Sequence, residues 1–448
     1  MKRYWLSVFN YNFISVFIIV TLIGKCDSVS INKTFISELL KNELPIFNSN
    51  TVPNLKGITN DYFRGLKNED VNLNITQLLT KYGYPVEQHE VVTSDGYILT
   101  MFRIPSNGPP VFLMHGLLCS SDDFVTAGPK SALAYLLADA GYDVWLGNDR
   151  GNKHSRRHIS LSTNDKEFWD FSWDEIGRFD LPAMIDYVLK ITGTNQLQYI
   201  GHSQGTTAFF VLCSERPEYN EKITIMIALS AVAWMSHTTS APFRLVSPFT
   251  PIVEDLTRAI GLYEVLPRNK LLDIATDISC GTPVTAKIFC TNLLFIVYGF
   301  DYAQVNATNL PVIYSHYPSG AATKQFLHYA QDIQSGIFRR YDYGPKLNLE
   351  KYNSIQPPRY PVERITAKVA IAYSDNDVIT TKPDLEILVS KLPNVVELYR
   401  VPFTKFSHMD FIYARDVRKL LYYRVLDLLR EYAPTNPYTD IPNFWVNL

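Results

Sequence analysis

Gly201-His202-Ser203-Gln204-Gly205 sets a serine between two glycines, with the apolar run Leu197 to Ile200 ahead of it and the run Thr206 to Cys213, read as a helix, behind it. A serine on a sharp strand-to-helix turn exposes its hydroxyl and directs the next backbone N–H at the reacting oxygen, as acyl transfer requires. The plainer alternative is a tight turn whose serine caps the helix. A neutral hydroxyl attacks esters poorly, so it needs a base, and the base needs an orienting acid. Beyond the irregular stretch described below, the histidine that follows Ser203 is His408, in a loop after the β-rich run Val395 to Val401. For the acid, Ser374-Asp375-Asn376-Asp377 follows the run Val369 to Tyr373, and spacing does not choose between Asp375 and Asp377. His115-Gly116-Leu117-Leu118 ends another apolar run and resembles a loop that lends a backbone N–H to an oxyanion. The backbone N–H groups of Leu117 and Gln204 are therefore the expected donors. His202, His154 and His158 are weaker candidates, and Arg150, Lys153, Arg156 and Arg157 read as a solvated or salt-bridged loop. Neither a metal-ligand spacing nor a phosphate-cradling glycine loop is evident, so no cofactor is expected.

The elements that must position these residues follow from periodicity. Two β-rich runs between Glu87 and Ile104 flank Ser94-Asp95-Gly96, a hairpin signal. Then come a strand at Val111–Met114, a helix at Ser131–Ala140 closed by Gly141, and a strand at Tyr142–Leu146. Asp180 and Pro182 predict a helix start, with Gly193 past its end. Continuous apolar strands separated by helices predict an α/β fold with a mainly parallel central sheet flanked by helices. The alternation stops between about Ala233 and Pro361, a stretch rich in proline and aromatics. It is expected to be a cap or lid inserted at the edge of the sheet where ligands bind.

Hydrophobic residues make up 46% of the 448 and charged residues 19%, so a packed core is expected and disorder is not. The formal net charge of −2, from 42 basic and 44 acidic residues, supplies no field for nucleic acid or an anionic membrane. Lipid contact would have to come from apolar surface. Lys2 and Arg3 precede the apolar stretch Phe13 to Ile23 and the small or polar residues Gly24, Cys26 and Ser28, the layout of a secretory signal peptide over residues 1–28. The stretch is short for a bilayer span, though a retained anchor is the alternative. An N-terminal extension (29–75), a first core segment (76–232), the cap (233–361) and a second core segment (362–448) would follow. Cys280 and Cys290 lie close together in the cap and are expected to form a disulfide on the secretory route. Cys119 and Cys213 read as buried thiols. Asn32, Asn74 and Asn306 open glycosylation sequons.

Several motifs together resemble the acid lipases of the gastric, lingual and lysosomal type, with an N-terminal extension like that of insect members. They are Gly83-Tyr84-Pro85-Val86-Glu87, His115-Gly116-Leu117-Leu118, Leu146-Gly147-Asn148, Arg150-Gly151-Asn152, Ser155-Arg156-Arg157-His158, Phe168-Trp169-Asp170-Phe171-Ser172, Gly201-His202-Ser203-Gln204-Gly205-Thr206-Thr207 and Gly299-Phe300-Asp301. The resemblance runs from about Tyr82 to the C-terminus. It implies an α/β-hydrolase fold and a serine lipase or esterase acting on triacylglycerols or sterol esters at a lipid–water interface, secreted or lysosomal. It further implies Ser203 as nucleophile, His408 as base, Asp377 rather than Asp375 as acid, Leu117 and Gln204 as oxyanion donors, and a Cys280–Cys290 disulfide. Asp149, where the family usually has serine, and Lys153-His154 depart from its pattern. The rival reading is a non-catalytic lipid-binding or storage protein on the same fold.

Overall fold

The computed structural model describes residues 60–61, 64–267, 301 and 303–434. The signal-like segment, Asn32, most of the N-terminal extension, and Cys280 with Cys290 lie outside those residues. Strands β1 (Glu87–Val92) and β2 (Tyr97–Ile104) form the expected antiparallel hairpin, and Gly96 in its turn has a φ of 100°, which glycine adopts without steric cost. Next come β3 (Pro110–Met114), β4 (Asp143–Leu146) and the two-residue β5 (Arg157–His158), followed by β6 (Leu197–His202) and β7 (Ile223–Leu229). A separate small ribbon pairs β8 (Glu264–Val265) with β9 (Ala321–Ala322), and β10 (Val369–Tyr373) and β11 (Val395–Arg400) complete the strands. The main sheet runs β1-β2-β4-β3-β6-β7-β10-β11, with β5 paired to β2. From β4 to β11 all neighbours are parallel.

The apolar runs are continuous because both faces of this sheet are covered. Phe112, Met114 and Tyr199 join one buried cluster, while Val111, Leu113 and Ile200 join the other. The helices that cover it are α1 (Leu133–Asp139), α2 (Leu181–Thr192) and α3 (Gln204–Glu215), with others further on. From β3 the chain crosses through α1 to β4, then returns to the far side of β3 to lay down β6. The order therefore reverses between β3 and β6, and their carboxyl ends border a crevice of the kind that holds ligands in such sheets.

One helix start differs from expectation. Ser172, in a capping box with Glu175, opens a helical segment at Trp173 that passes through a π turn (Ile176–Asp180) into α2. Pro182 has no N–H to give, and the ladder shifts so that Leu181 N–H bonds Ile176 C=O. Asp180 is thereby released from capping, is fully buried, and accepts from Arg150 at the side chain (2.8 Å) and the backbone (3.0 Å). Gly193 ends α2 with a φ of 67°, as expected.

Between β7 and β10 no strand joins the main sheet among the described residues. The described residues of that span include the helices α4 (Leu310–His316) and α5 (Thr323–Ser335). On α5, His328 stacks on Trp173 with ring centroids 3.6 Å apart, and the Tyr329 hydroxyl lies 2.9 Å from Thr207 Oγ1, one turn into α3. The span is thus anchored directly over the helix that follows Ser203. No helix among the described residues is long and apolar enough to cross a membrane.

Candidate active site

Ser203 is the one residue between β6 and α3, and its φ of 51° and ψ of −119° are strained for a side chain with a Cβ. The conformation is held from both sides: Ser203 N–H donates to Leu229 C=O (3.1 Å), and its own C=O accepts from the Thr206 hydroxyl (2.6 Å). The glycines of the pentapeptide answer steric demands. A Cβ on Gly205 would lie 2.3 Å from Met114 O, and one on Gly201 would lie 3.0 Å from the Gly205 backbone. On the facing loop, a Cβ on Gly116 would sit 3.1 Å from Ser203 Cβ and 3.5 Å from its hydroxyl. Glycine at this position keeps the space beside the hydroxyl open.

His408 is buried, and its Nε2 lies 2.8 Å from Ser203 Oγ. Its Nδ1 lies 3.0 and 3.1 Å from the two carboxylate oxygens of Asp377. The loops carrying the two residues are stitched together: Ser374 Oγ donates to Phe406 C=O and Asn376 Nδ2 to Lys405 C=O, each at 2.7 Å. Asp377 Oδ1 also accepts from Ile379 N–H (2.9 Å) and Thr380 N–H (3.1 Å). Burial pushes the Asp377 carboxyl up, but the His408 ring and these donors outweigh it and hold the group below the ordinary carboxylate range. Asp375, its rival in sequence, is exposed and pairs with the Arg400 guanidinium.

Ser230 belongs to no motif in the sequence but joins this cluster. It follows β7 with a φ of 56°, donates to Asp377 Oδ2, and has its hydroxyl 2.8 Å from His408 Nδ1 and 3.1 Å from Thr380 Oγ1. The available signal was positional: like Ser203 and Gly116, it sits just past the carboxyl end of a central strand.

Leu117 lies on the buried turn after β3, and Gln204 opens the 12-residue α3, whose amino end favours negative charge. The other histidines have different work. Burial drives the proton affinity of His202 down to about 3 and that of His115 to about 4, so both rings are neutral. His202 Nε2 donates to His408 C=O (3.0 Å). His154 bonds Asp122 (2.6 Å) and His158 bonds Asp95 C=O (2.9 Å). The basic loop is salt-bridged throughout, with Arg150 buried and Arg157 still exposed to solvent. Arg150 is enclosed between Asp95 and Asp180 with its guanidinium 3.9 Å from the Tyr97 ring centre, while Lys153, Arg156 and Arg157 pair with Asp122, Glu264 and Glu90. Cys119 and Cys213 are buried free thiols, and Asn74 and Asn306 are exposed.

The chain matches the family described as the α/β hydrolase fold over residues 109–414 and the partial α/β-hydrolase lipase region over residues 75–128. It is similar to Lipase 1 of Drosophila melanogaster, 43% identical over 374 residues that cover 82% of each chain. It is also similar to gastric triacylglycerol lipase of Homo sapiens, 38% identical over 81% of this chain and 92% of that one. A crystal structure from Sulfolobus solfataricus superposes with a TM-score of 0.51 over 75% of this chain and 90% of the other, and at 13% identity it bears on the fold alone. Sheet, elbow and sequence together define an α/β hydrolase. Within that class the chain belongs to the lipase family that includes gastric triacylglycerol lipase, and it is a carboxylic ester hydrolase.

Proposed function

We propose that the chain is a serine lipase that hydrolyses neutral lipid esters, triacylglycerols or sterol esters, through an acyl-enzyme on Ser203. The observation that carries this reading is the unbroken buried relay from Ser203 Oγ to His408 Nε2 (2.8 Å) and from His408 Nδ1 to Asp377 (3.0 Å). Ser203 Oγ attacks the ester carbonyl while His408 takes its proton, and Asp377 stays ionised to steady the imidazolium. The carbonyl oxygen becomes an oxyanion facing the backbone N–H groups of Leu117 and Gln204. Its collapse breaks the ester C–O bond, the alcohol leaves with the proton from His408, and water activated by the same ring then frees the fatty acid.

In this reading residues 233–361 cap the site, Cys280–Cys290 brace the cap, and Asn32, Asn74 and Asn306 carry glycans on a secreted or lysosomal protein. Ser203→Ala is expected to abolish ester hydrolysis with the unfolding temperature unchanged, and retained turnover would remove Ser203 from the mechanism. Rates on triolein, cholesteryl oleate and a short p-nitrophenyl ester test the lipid half, which fails if the short ester is strongly preferred. The non-catalytic alternative predicts that a fluorophosphonate does not label Ser203.

A further inference from the structure

The two proposed oxyanion donors come from different loops, and a third loop touches both. Asp149, after β4, is only 4% exposed. Its N–H donates to His115 Nε2 at 3.3 Å. That bond, with a second from Asn152 Nδ2 at 3.1 Å, makes Nε2 the acceptor and leaves the ring proton on Nδ1. His115 Nδ1–H in turn donates to Gly116 C=O at 2.9 Å. Gly116 C=O and Leu117 N–H belong to the same planar peptide, so gripping one end sets the direction of the other. On its other side Asp149 Oδ2 accepts from Gln204 Nε2 at 3.2 Å. Oδ1 lies 3.5 Å from His115 Nε2.

We infer that Asp149 is a positioning residue that registers the two halves of the oxyanion hole, through His115 to the Gly116–Leu117 peptide and through its carboxyl to Gln204. The inference rests on the reading of the site given above. It also follows that the side chain works as a neutral acid. The adjacent cation, Arg150, is taken up by Asp95 and Asp180, and His115 carries no charge to offer. Gln204 Oε1 is buried with no partner, an acceptor that a protonated carboxyl beside it could serve. Burial, then the charge of Asp180, push the Asp149 carboxyl well above its ordinary value against the pull of Arg150 and the Gln204 amide. The remaining titratable neighbours, Cys119 on the loop after β3 and Tyr329 on α5, are held protonated by burial. An ionised Asp149 would put a negative charge against the side chain of Gln204 and the ring of His115, the residues that hold the two donors, so turnover should decline as this group ionises.

The test compares Asp149→Ala and Asp149→Asn on a soluble ester from pH 4 to 9, with unfolding temperatures measured alongside. Asparagine presents a donor group on one arm and an acceptor oxygen on the other, as the neutral acid does, though with a second N–H. Asp149→Ala keeps the backbone N–H to His115 and removes the carboxyl contacts to Gln204 and His115; it is expected to lower kcat at least about tenfold with KM within about twofold, since a displaced oxyanion donor acts on the transition state and not on ground-state binding. Asp149→Asn is expected to recover most of that loss at pH 5 and to shift the alkaline decline of kcat to higher pH. Wild-type kcat in the alanine variant, an asparagine variant as slow as alanine, or an alkaline decline identical in asparagine and wild type would each overturn the inference. Should Asp149→Ala fail to fold, the asparagine profile decides alone. A Ser203→Ala variant assayed in parallel separates the two readings: if it retains turnover the site assignment itself fails, whereas an inactive Ser203→Ala beside a fully active Asp149→Ala defeats only this inference.

Discussion

Two aspartates compete in the sequence for the role of acid, and a pair of substitutions separates them. Around Asp377 the structure dictates how an asparagine would sit. Two backbone N–H groups, from Ile379 and Thr380, aim at Oδ1, so the amide oxygen must take that position. The NH2 group is left at Oδ2, facing the Ser230 hydroxyl and His408 Nδ1. A donor there favours the tautomer with the imidazole proton on Nε2, the atom that in the proposed mechanism accepts the proton of Ser203. In a serine protease the equivalent change costs about 10⁴ in kcat, some 5.4 kcal/mol at 1.36 kcal/mol per tenfold, and Asp377→Asn is expected to cost a similar amount. Asp375→Asn breaks only an exposed pair with Arg400, so kcat should stay within about twofold and stability within about 1 kcal/mol. The assay is kcat on a soluble ester, normalised to fluorophosphonate-titratable sites, with unfolding temperature as the folding control. An Asp377→Asn enzyme within tenfold of wild type, or an Asp375→Asn enzyme disabled by a hundredfold, would refute the assignment and the tautomer argument with it.

Ser230→Ala removes a hydroxyl bonded to an ionised carboxylate, a bond worth about 1.5–3 kcal/mol, so kcat should fall roughly ten- to a hundredfold; an unchanged kcat would make the hydroxyl a packing group. Stability should fall as pH rises from about 6.5 to 8, because Asp149, Asp332 and Asp410, all raised well above the ordinary value chiefly by burial, keep protons in the native state that the unfolded chain has already released. Below about 6.5 the buried neutral His115, His202 and His328 act in the opposite sense, since the unfolded chain then binds protons that they refuse, and the curve flattens. Thermal unfolding across pH tests this, and a melting temperature that climbs between pH 6.5 and 8 would contradict it.

The parts of the fold legible in the sequence are those where one physical cause dominates. Val111–Met114 and Ile223–Leu229 read as strands because both faces of the sheet are covered, and the elbow reads from two glycines whose Cβ atoms would collide with backbone. Where two causes compete, sequence pattern misleads. Asp180 looked like a cap beside Pro182, but the Ser172–Glu175 capping box starts the helical segment earlier and a buried guanidinium claims the carboxyl. The basic residues around Arg150 read as a solvated or salt-bridged loop, and sequence does not choose; at Arg150 two carboxylates and an aromatic ring compensate complete burial. Ser230 gave no motif, since its role depends on β7 and β10 being neighbours, a pairing between residues far apart in the chain.

The two histidines nearest Ser203 show how environment, more than residue type, assigns chemistry. His202 precedes the serine in the chain, and its ring centre lies 5.1 Å from that of His408. Both rings are buried, so a proton on either is costly unless a charge answers it. Asp377 lies 3.0 Å from His408 Nδ1, whereas His202 gives Nε2–H to the His408 carbonyl and burial drives its own proton affinity down to about 3 despite that bond. A ring that stays neutral makes a dependable strut, and this one holds the backbone of His408, the residue proposed to move the proton. In the proposed reaction the division also keeps a second positive charge from forming 5.1 Å from an imidazolium at His408.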